Sequence, residues 1–156
     1  MKTKITNRNL PQLFLRARTA LMAHFRPILG HFGLTDQQWR ILRVLDEFGQ
    51  LEPRELCNLC QILSPSMAGV LTRMEEIDLI TRAPVASDQR RVLVSLSERG
   101  LQLMAEIAPL IDQQYQHIEK VIGKQSINNL ILALEQFTKA AEDTVQQVDL
   151  TDSPSD

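Results

Sequence analysis

Several groups of residues in this chain have types and spacings suited to chemistry. Asp88-Gln89-Arg90-Arg91 sets two guanidiniums beside a carboxylate on what reads as a hairpin tip. A guanidinium is permanently charged and matches phosphate oxygens, so the pair suits an anionic partner. The plain alternative is a solvated polar tip, as loops commonly are. Trp39 and Arg43 stand one helical turn apart and offer an aromatic wall beside a charged fork that fits a small carboxylate, with Tyr115 adding a hydroxyl. Here the plain alternative is Trp39 as a core staple, Arg43 as an interface ion pair and Tyr115 as dimer packing. Cys57-x-x-Cys60 offers thiols for a redox switch, although a lone pair with neither a second CxxC nor flanking basic residues reads more readily as buried thiol. His24 and His31 lie seven apart without an accompanying ligand cluster, so neither metal nor cofactor is expected. P-loop, GxSxG and HExxH patterns are absent and no catalytic set stands out, so an enzyme is not expected.

The elements that must position these groups centre on residues 64–100. Ser64-Pro65 reads as an N-cap followed by proline at the first helical position. Val70, Leu71, Met74 and Ile77 recur at helical spacing and turn inward, leaving Ser66, Gly69, Thr72, Arg73 and Glu76 outward. Residues 79–85 and 92–96 read as strands joined by a loop over 86–91, with Val92, Val94 and Leu96 on one face, and Ser97 caps a further helix. Upstream, Glu52-Pro53 opens a short helix through about Cys60, and the connection over 61–63 is what a helix-turn-helix needs. A short apolar-backed helix followed by a basic-tipped hairpin suits a helix in the DNA major groove with a wing arginine in the minor groove.

The chain on either side supplies longer helices. Leu10, Phe14, Ala17, Leu21, Phe25 and Ile28 form a stripe that predicts a first helix to about Phe32, bent near Pro27 and ended by Gly33. Thr35 with Gln38 predicts a capping box, and Leu34 with Trp39 a hydrophobic staple, opening a second helix that ends at Gly49. After the wing, Leu101, Met104, Ala108, Ile111, Tyr115, Ile118 and Ile122 share a face. Gly123 interrupts, and Ile127, Leu130, Ile131, Leu134, Phe137 and Ala141 line a last helix. A small winged head cannot cover all these stripes, so the long helices are expected to pair across a two-fold axis as a homodimer. Residues 1–8 are expected to fray, and the tail after Asp149 has a disordered composition.

Asp88-Gln89-Arg90-Arg91 followed by Val92-Leu93-Val94-Ser95-Leu96-Ser97 and Gly100 resembles the wing signature of the multiple antibiotic resistance regulator (MarR) family. Phe25-Arg26-Pro27, Leu34-Thr35-Asp36-Gln37-Gln38-Trp39-Arg40, Cys60-Gln61-Ile62-Leu63 and Leu71-Thr72-Arg73-Met74-Glu75 resemble the subgroup that represses homoprotocatechuate catabolic operons, and the likeness covers about residues 8–145. The resemblance implies that Pro65, Ser66, Gly69, Thr72 and Arg73 lie near bases or phosphates, with Arg90 in the minor groove, Arg91 beside it and Asp88 orienting the wing. It further implies that a small aromatic acid, a hydroxyphenylacetate in this subgroup, binds where the first, second and fifth helices meet near the dimer interface. Arg43 would take its carboxylate beside the Trp39 wall, Tyr115 would add a hydroxyl, and Met22, Phe25, Leu29 and Ile111 would line its ring.

Fold class is therefore expected to be mainly α with a small β-hairpin, a winged helix-turn-helix head at 34–97 joined to a helical dimerisation region at 1–33 and 98–147, with a disordered acidic tail at 148–156. The 156 residues suit one domain or one protomer of a dimer. No apolar stretch approaches a membrane span and no apolar run follows the N-terminus, so a cytoplasmic protein without a membrane partner is expected. The net charge of −2 is unusual for a nucleic-acid binder, but residues 142–156 hold five acidic groups and no basic one. Residues 1–141 thus carry 17 basic against 14 acidic groups, a net of +3. The predicted activity is that of a dimeric repressor on a pseudo-palindromic DNA operator, released by an aromatic acid. The alternatives are an oxidant-sensing regulator using Cys57 or Cys60, and a helical module whose wing meets protein.

Overall fold

A computed structural model describes residues 4–143 and 145–150. The chain divides into two compact units, Met1–Gln114 and Tyr115–Asp156. In the first unit the order is α1 (Leu10–Met22), α2 (Arg26–His31), α3 (Asp36–Phe48), α4 (Pro53–Cys60), α5 (Ser64–Glu76), β1 (Ile80–Val85) and β2 (Asp88–Leu96), followed by the larger part of α6 (Glu98–Ile122). The second unit holds the end of α6 and α7 (Lys124–Glu142). The protein is thus mainly helical with one antiparallel hairpin. Among the described residues no helix is long and apolar enough to cross a membrane.

Local chemistry explains the boundaries. Asn9 caps α1 by accepting from Gln12 N at 3.2 Å. Thr35 and Gln38 form the expected reciprocal capping box at the start of α3, with bonds of 3.2 and 3.0 Å. Glu52 and Glu55 form a second box on α4. Gly33 and Gly49 take positive φ, 68° and 79°, which lets the chain leave α2 and α3 without a steric penalty. The centre of the first unit is apolar: Ile41, Leu42, Leu56, Met74 and Val94 are completely buried, with Met67, Leu71 and Ile80 almost so. Each such side chain contributes about 1.5–3 kcal/mol of burial free energy.

Four expectations are corrected. The first helix is broken, not bent: α1 stops at Met22, His24 N and Phe25 N bond to the carbonyls of Leu21 and Met22, and α2 restarts at Arg26. A continuous helix would press the Pro27 ring against the Ala23 carbonyl. The N-cap of α5 is Leu63 and has no side-chain capping bond, so Ser64 and Pro65 already lie in the first turn. The 86–91 loop shrinks to a turn at Ala86-Ser87, because β2 starts at Asp88. Pairing runs Val85↔Asp88 and then Pro84↔Val92, so Gln89, Arg90 and Arg91 bulge from the ladder opposite a proline that has no N–H to offer. The stripe on α6 is also redrawn: Met104, Ile111 and Ile118 are buried as expected, but Ile107 joins them while Leu101, Ala108, Tyr115 and Ile122 are exposed.

Two further features shape the molecule. Leu51 forms a bridge to Val94, with bonds of 3.0 and 2.8 Å, giving the hairpin a short third partner. Where α6 begins, Ser97 Oγ donates to Asp78 O at 2.6 Å and accepts from Gly100 N at 2.9 Å, and a Cβ on Gly100 would lie 2.2 Å from the Leu79 carbonyl oxygen. Only glycine permits that approach. Helices α1 and α7 bury no side chain in the single chain, and Phe14, Leu15, Leu130 and Ile131 are among their exposed apolar residues. The expected fraying of residues 1–8 falls partly, and the tail at 148–156 mostly, outside the described residues.

Candidate functional site

Helix α5 is anchored from behind and bare in front. Met67, Leu71 and Met74 are buried as the helix packs on α3, α4 and β1. Pro65, Ser66, Gly69, Thr72 and Arg73 are all exposed along the other face. A Cβ added at Gly69 would meet nothing within 4 Å, so the face is open at its middle. Thr72 Oγ1 donates back to Ala68 O at 3.0 Å, and Arg73 lies 3.5 Å from Glu76 at the helix end. Neither contact removes the side chain from solvent.

The turn before α5 is held by a charge. Gln61 takes a left-handed conformation, φ 53°, which ends α4. Arg40 Nη1 on α3 donates to the carbonyls of Cys60 and Gln61 at 2.7 and 3.1 Å, so a cation sits at the negative end of α4. Asp36, four residues before Arg40, also receives Arg18 from α1. The i, i+4 pair was readable from spacing, but Arg18 lies eighteen residues away and left no local signal.

The wing separates its two arginines. Asp88 Oδ1 accepts from Arg90 N at 3.1 Å, an Asx-type bond that shapes the bulge. The Arg90 side chain is 97% exposed, and its only ion pair among the described residues is a loose one, 3.9 Å from Asp88. Arg91 instead donates Nε to Glu52, the residue before α4. At the base of the wing Arg82 on β1 donates to Glu75 on α5 at 3.0 Å, and that hydrogen bond holds the Glu75 carboxyl below its ordinary pKa. The pairings of Glu52 with Arg91 and of Glu75 with Arg82 were not read from the sequence, since each joins two different elements.

For a small acid, the structure brings Trp39 and Arg43 together: the guanidinium carbon is 5.9 Å from the indole centroid, and Arg43 Nη1 is 3.9 Å from Asp46 Oδ2. Arg43 keeps about half its side chain in solvent. Phe25 and Leu29 are buried beside α2, which packs on α3, and Met22 is half-buried at the end of α1. Ile111 is buried on α6. Tyr115 is 41% exposed and belongs to the second unit.

Cys60 is poorly placed for oxidation, whereas Cys57 is half-buried. Cys60 is buried, and burial pushes its thiol up to about 11 against the opposing pull of the Arg40 charge. Such a group remains a protonated, weak nucleophile at neutral pH. His24 and His31 have not assembled a site: no cluster of three metal-ligating side chains occurs among the described residues.

Comparison with known proteins adds a family pattern to this geometry. The MarR family model matches residues 32–91. The chain is 45% identical over 113 residues to the HTH-type transcriptional regulator FarR of Neisseria gonorrhoeae, spanning 72% of this chain and 77% of that one. It is 38% identical over 123 residues to the homoprotocatechuate degradative operon repressor of Escherichia coli, spanning 79% and 83%. Its fold is similar to the crystal structure of NadR in complex with 4-hydroxyphenylacetate, with a TM-score of 0.79 and 38% identity over 92% of this chain and all of the other.

Proposed function

This chain belongs to the MarR family, and from that premise we propose that it is a dimeric DNA-binding repressor that leaves its operator when a small aromatic carboxylate binds. The observation that carries the proposal is the pairing of an open α5 face with a wing whose Arg90 has its charge almost wholly in solvent. An α-helix fits the major groove, and an unburdened guanidinium suits the narrow, strongly negative minor groove. Pro65, Ser66, Gly69, Thr72 and Arg73 would approach bases and phosphates, with Asp88 shaping the wing. Arg91 has a lesser part, because Glu52 already holds it.

Residues 34–97 would form the head, with 1–33 and 98–147 pairing two copies through the apolar faces that α1 and α7 leave uncovered. Two heads on a two-fold axis reach half-sites about 10 bp apart in a pseudo-palindrome. The pair Trp39–Arg43 supplies the aromatic wall and cation for the acid, and Phe25, Leu29, Met22 and Ile111, all in the first unit, complete the proposed lining. The similarity to a repressor of aromatic catabolism and to a structure holding 4-hydroxyphenylacetate favours a hydroxyphenylacetate. Release requires that the acid bind the DNA-incompetent arrangement more tightly than the DNA-bound one.

Fluorescence anisotropy with labelled DNA from upstream of the protein's own gene tests this. Saturable binding that survives excess unrelated duplex and weakens on adding 4-hydroxyphenylacetate is expected. Equal affinity for any duplex would overturn the repressor, and indifference to the acid would overturn the effector.

A further inference from the structure

Three side chains join α1 to the turn of the helix-turn-helix. Arg18 Nη2 straddles both carboxylate oxygens of Asp36, at 2.9 and 3.1 Å. Arg40 Nη1 clamps the Cys60 and Gln61 carbonyls at the end of α4. Between them, Arg40 Nε is buried and lies 3.3 Å from Asp36 Oδ2, yet makes no hydrogen bond. A buried N–H without a partner is costly, so the arrangement has an unfilled demand at one named atom.

We propose that Asp36 is a shared carboxylate contested by Arg18 and Arg40, so that the seating of α1 sets the turn that aims α5. The proposal rests on the effector-released DNA binder described above and adds how the two ends of the first unit communicate. With Arg18 in place, both Asp36 oxygens face α1 and Arg40 Nε is left unsatisfied. When α1 shifts, Asp36 is free to rotate and accept from Nε, and the guanidinium must turn with it. Its other arm holds the last carbonyls of α4, immediately before the left-handed Gln61 and the first turn of α5. Two hydrogen-bonding arrangements of one carboxylate thus correspond to two attitudes of the reading helix. Helix α1 has no fully buried side chain within its own protomer, so its seating on the head depends on the Arg18–Asp36 link and on the proposed dimer face.

Arg18 and Asp36 keep about half and two-fifths of their side chains in solvent, so their pairing contributes little to folding and Arg18 can be replaced safely. A pair of this kind carries a factor of about two to five in an equilibrium. The test compares the full-length protein with its Arg18→Met and Arg18→Lys variants. Circular dichroism and thermal melting check the fold, Trp39 fluorescence follows 4-hydroxyphenylacetate, and anisotropy follows the upstream DNA. Arg18→Met should bind the acid like the parent, but the factor by which the acid weakens DNA binding should change about two- to fivefold, with Arg18→Lys in between. An unchanged factor overturns the relay. Should the parent itself ignore the acid, the effector reading fails, and the relay is judged on DNA affinity alone, where a cycle of Arg18→Met and Arg40→Met should be non-additive. Strict additivity in that cycle would sink it.

Discussion

Arg91 on β2 is ion-paired to Glu52 across 39 residues of chain, fastening the wing to the start of α4, while its neighbour Arg90 projects into solvent. Adjacent arginines are therefore held differently, one paired and one exposed. Arg90→Ala should weaken operator binding and lower the salt dependence by about one unit of log–log slope without moving the melting temperature. Arg91→Ala should leave most of that slope and loosen the wing, visible as faster amide exchange over 88–94. Equivalent salt slopes in the two variants would remove the distinction.

Gly100 has the Leu79 carbonyl where a side chain would go. Gly100→Ala should cost about 3 kcal/mol, since the obstacle is backbone and cannot swing aside. Melting should fall by roughly 5–15 °C. A variant that melts with the parent would show that the joint relaxes without penalty.

Arg43 beside Trp39 is the proposed carboxylate anchor. Arg43→Met should weaken 4-hydroxyphenylacetate binding by about ten- to a hundredfold, the range for a charged hydrogen bond, and leave DNA binding in the absence of acid intact. Loss of both together would point to a structural part for Arg43. Trp39 is the only tryptophan, so its emission reports on this site without ambiguity.

Ile131 lies half-exposed on α7 among Leu130, Leu132 and Leu134. Placing a charge there by Ile131→Glu should split the proposed dimer, with sedimentation showing the single-chain mass. A dimer that persists would move the pairing surface elsewhere.

Cys60 gives a pH dependence with a definite sign. Burial pushes its thiol up to about 11 from the ordinary 9.0, so the native state holds the proton more firmly than the unfolded chain does. The stabilisation is complete below pH 9 and declines as pH rises towards 11. Denaturant melts of the parent and Cys60→Ala should therefore converge over that interval. At neutral pH Cys60 should resist thiol reagents, and rapid labelling would reopen the oxidant-sensing alternative.

Much of the head was legible because its signals are local. The Thr35–Gln38 box, the glycine exits at 33 and 49 and the Glu52-Pro53 start all act within one helical turn. Each appears where side-chain chemistry requires it. The outward face of α5 was legible for the same reason, although Met67 joins the core through a position the stripe had not included. What was missed is long-range or depends on a backbone clash. Pro27 was read as a bend because its effect on the Ala23 carbonyl appears only once the helix is built. The bulge at Gln89–Arg91 depends on the missing N–H of Pro84 on the opposite strand, and the Arg18–Asp36–Arg40 chain depends on where α1 lies.

Helices with no fully buried side chain in isolation make the lifetime of the fold a question of copy number. For the proposed dimer, each dilution shifts mass action towards protomers with wet apolar faces, so the melting point should climb with protein concentration. Protomers released by dilution would offer proteases more open chain, so cleavage should quicken as protein concentration falls.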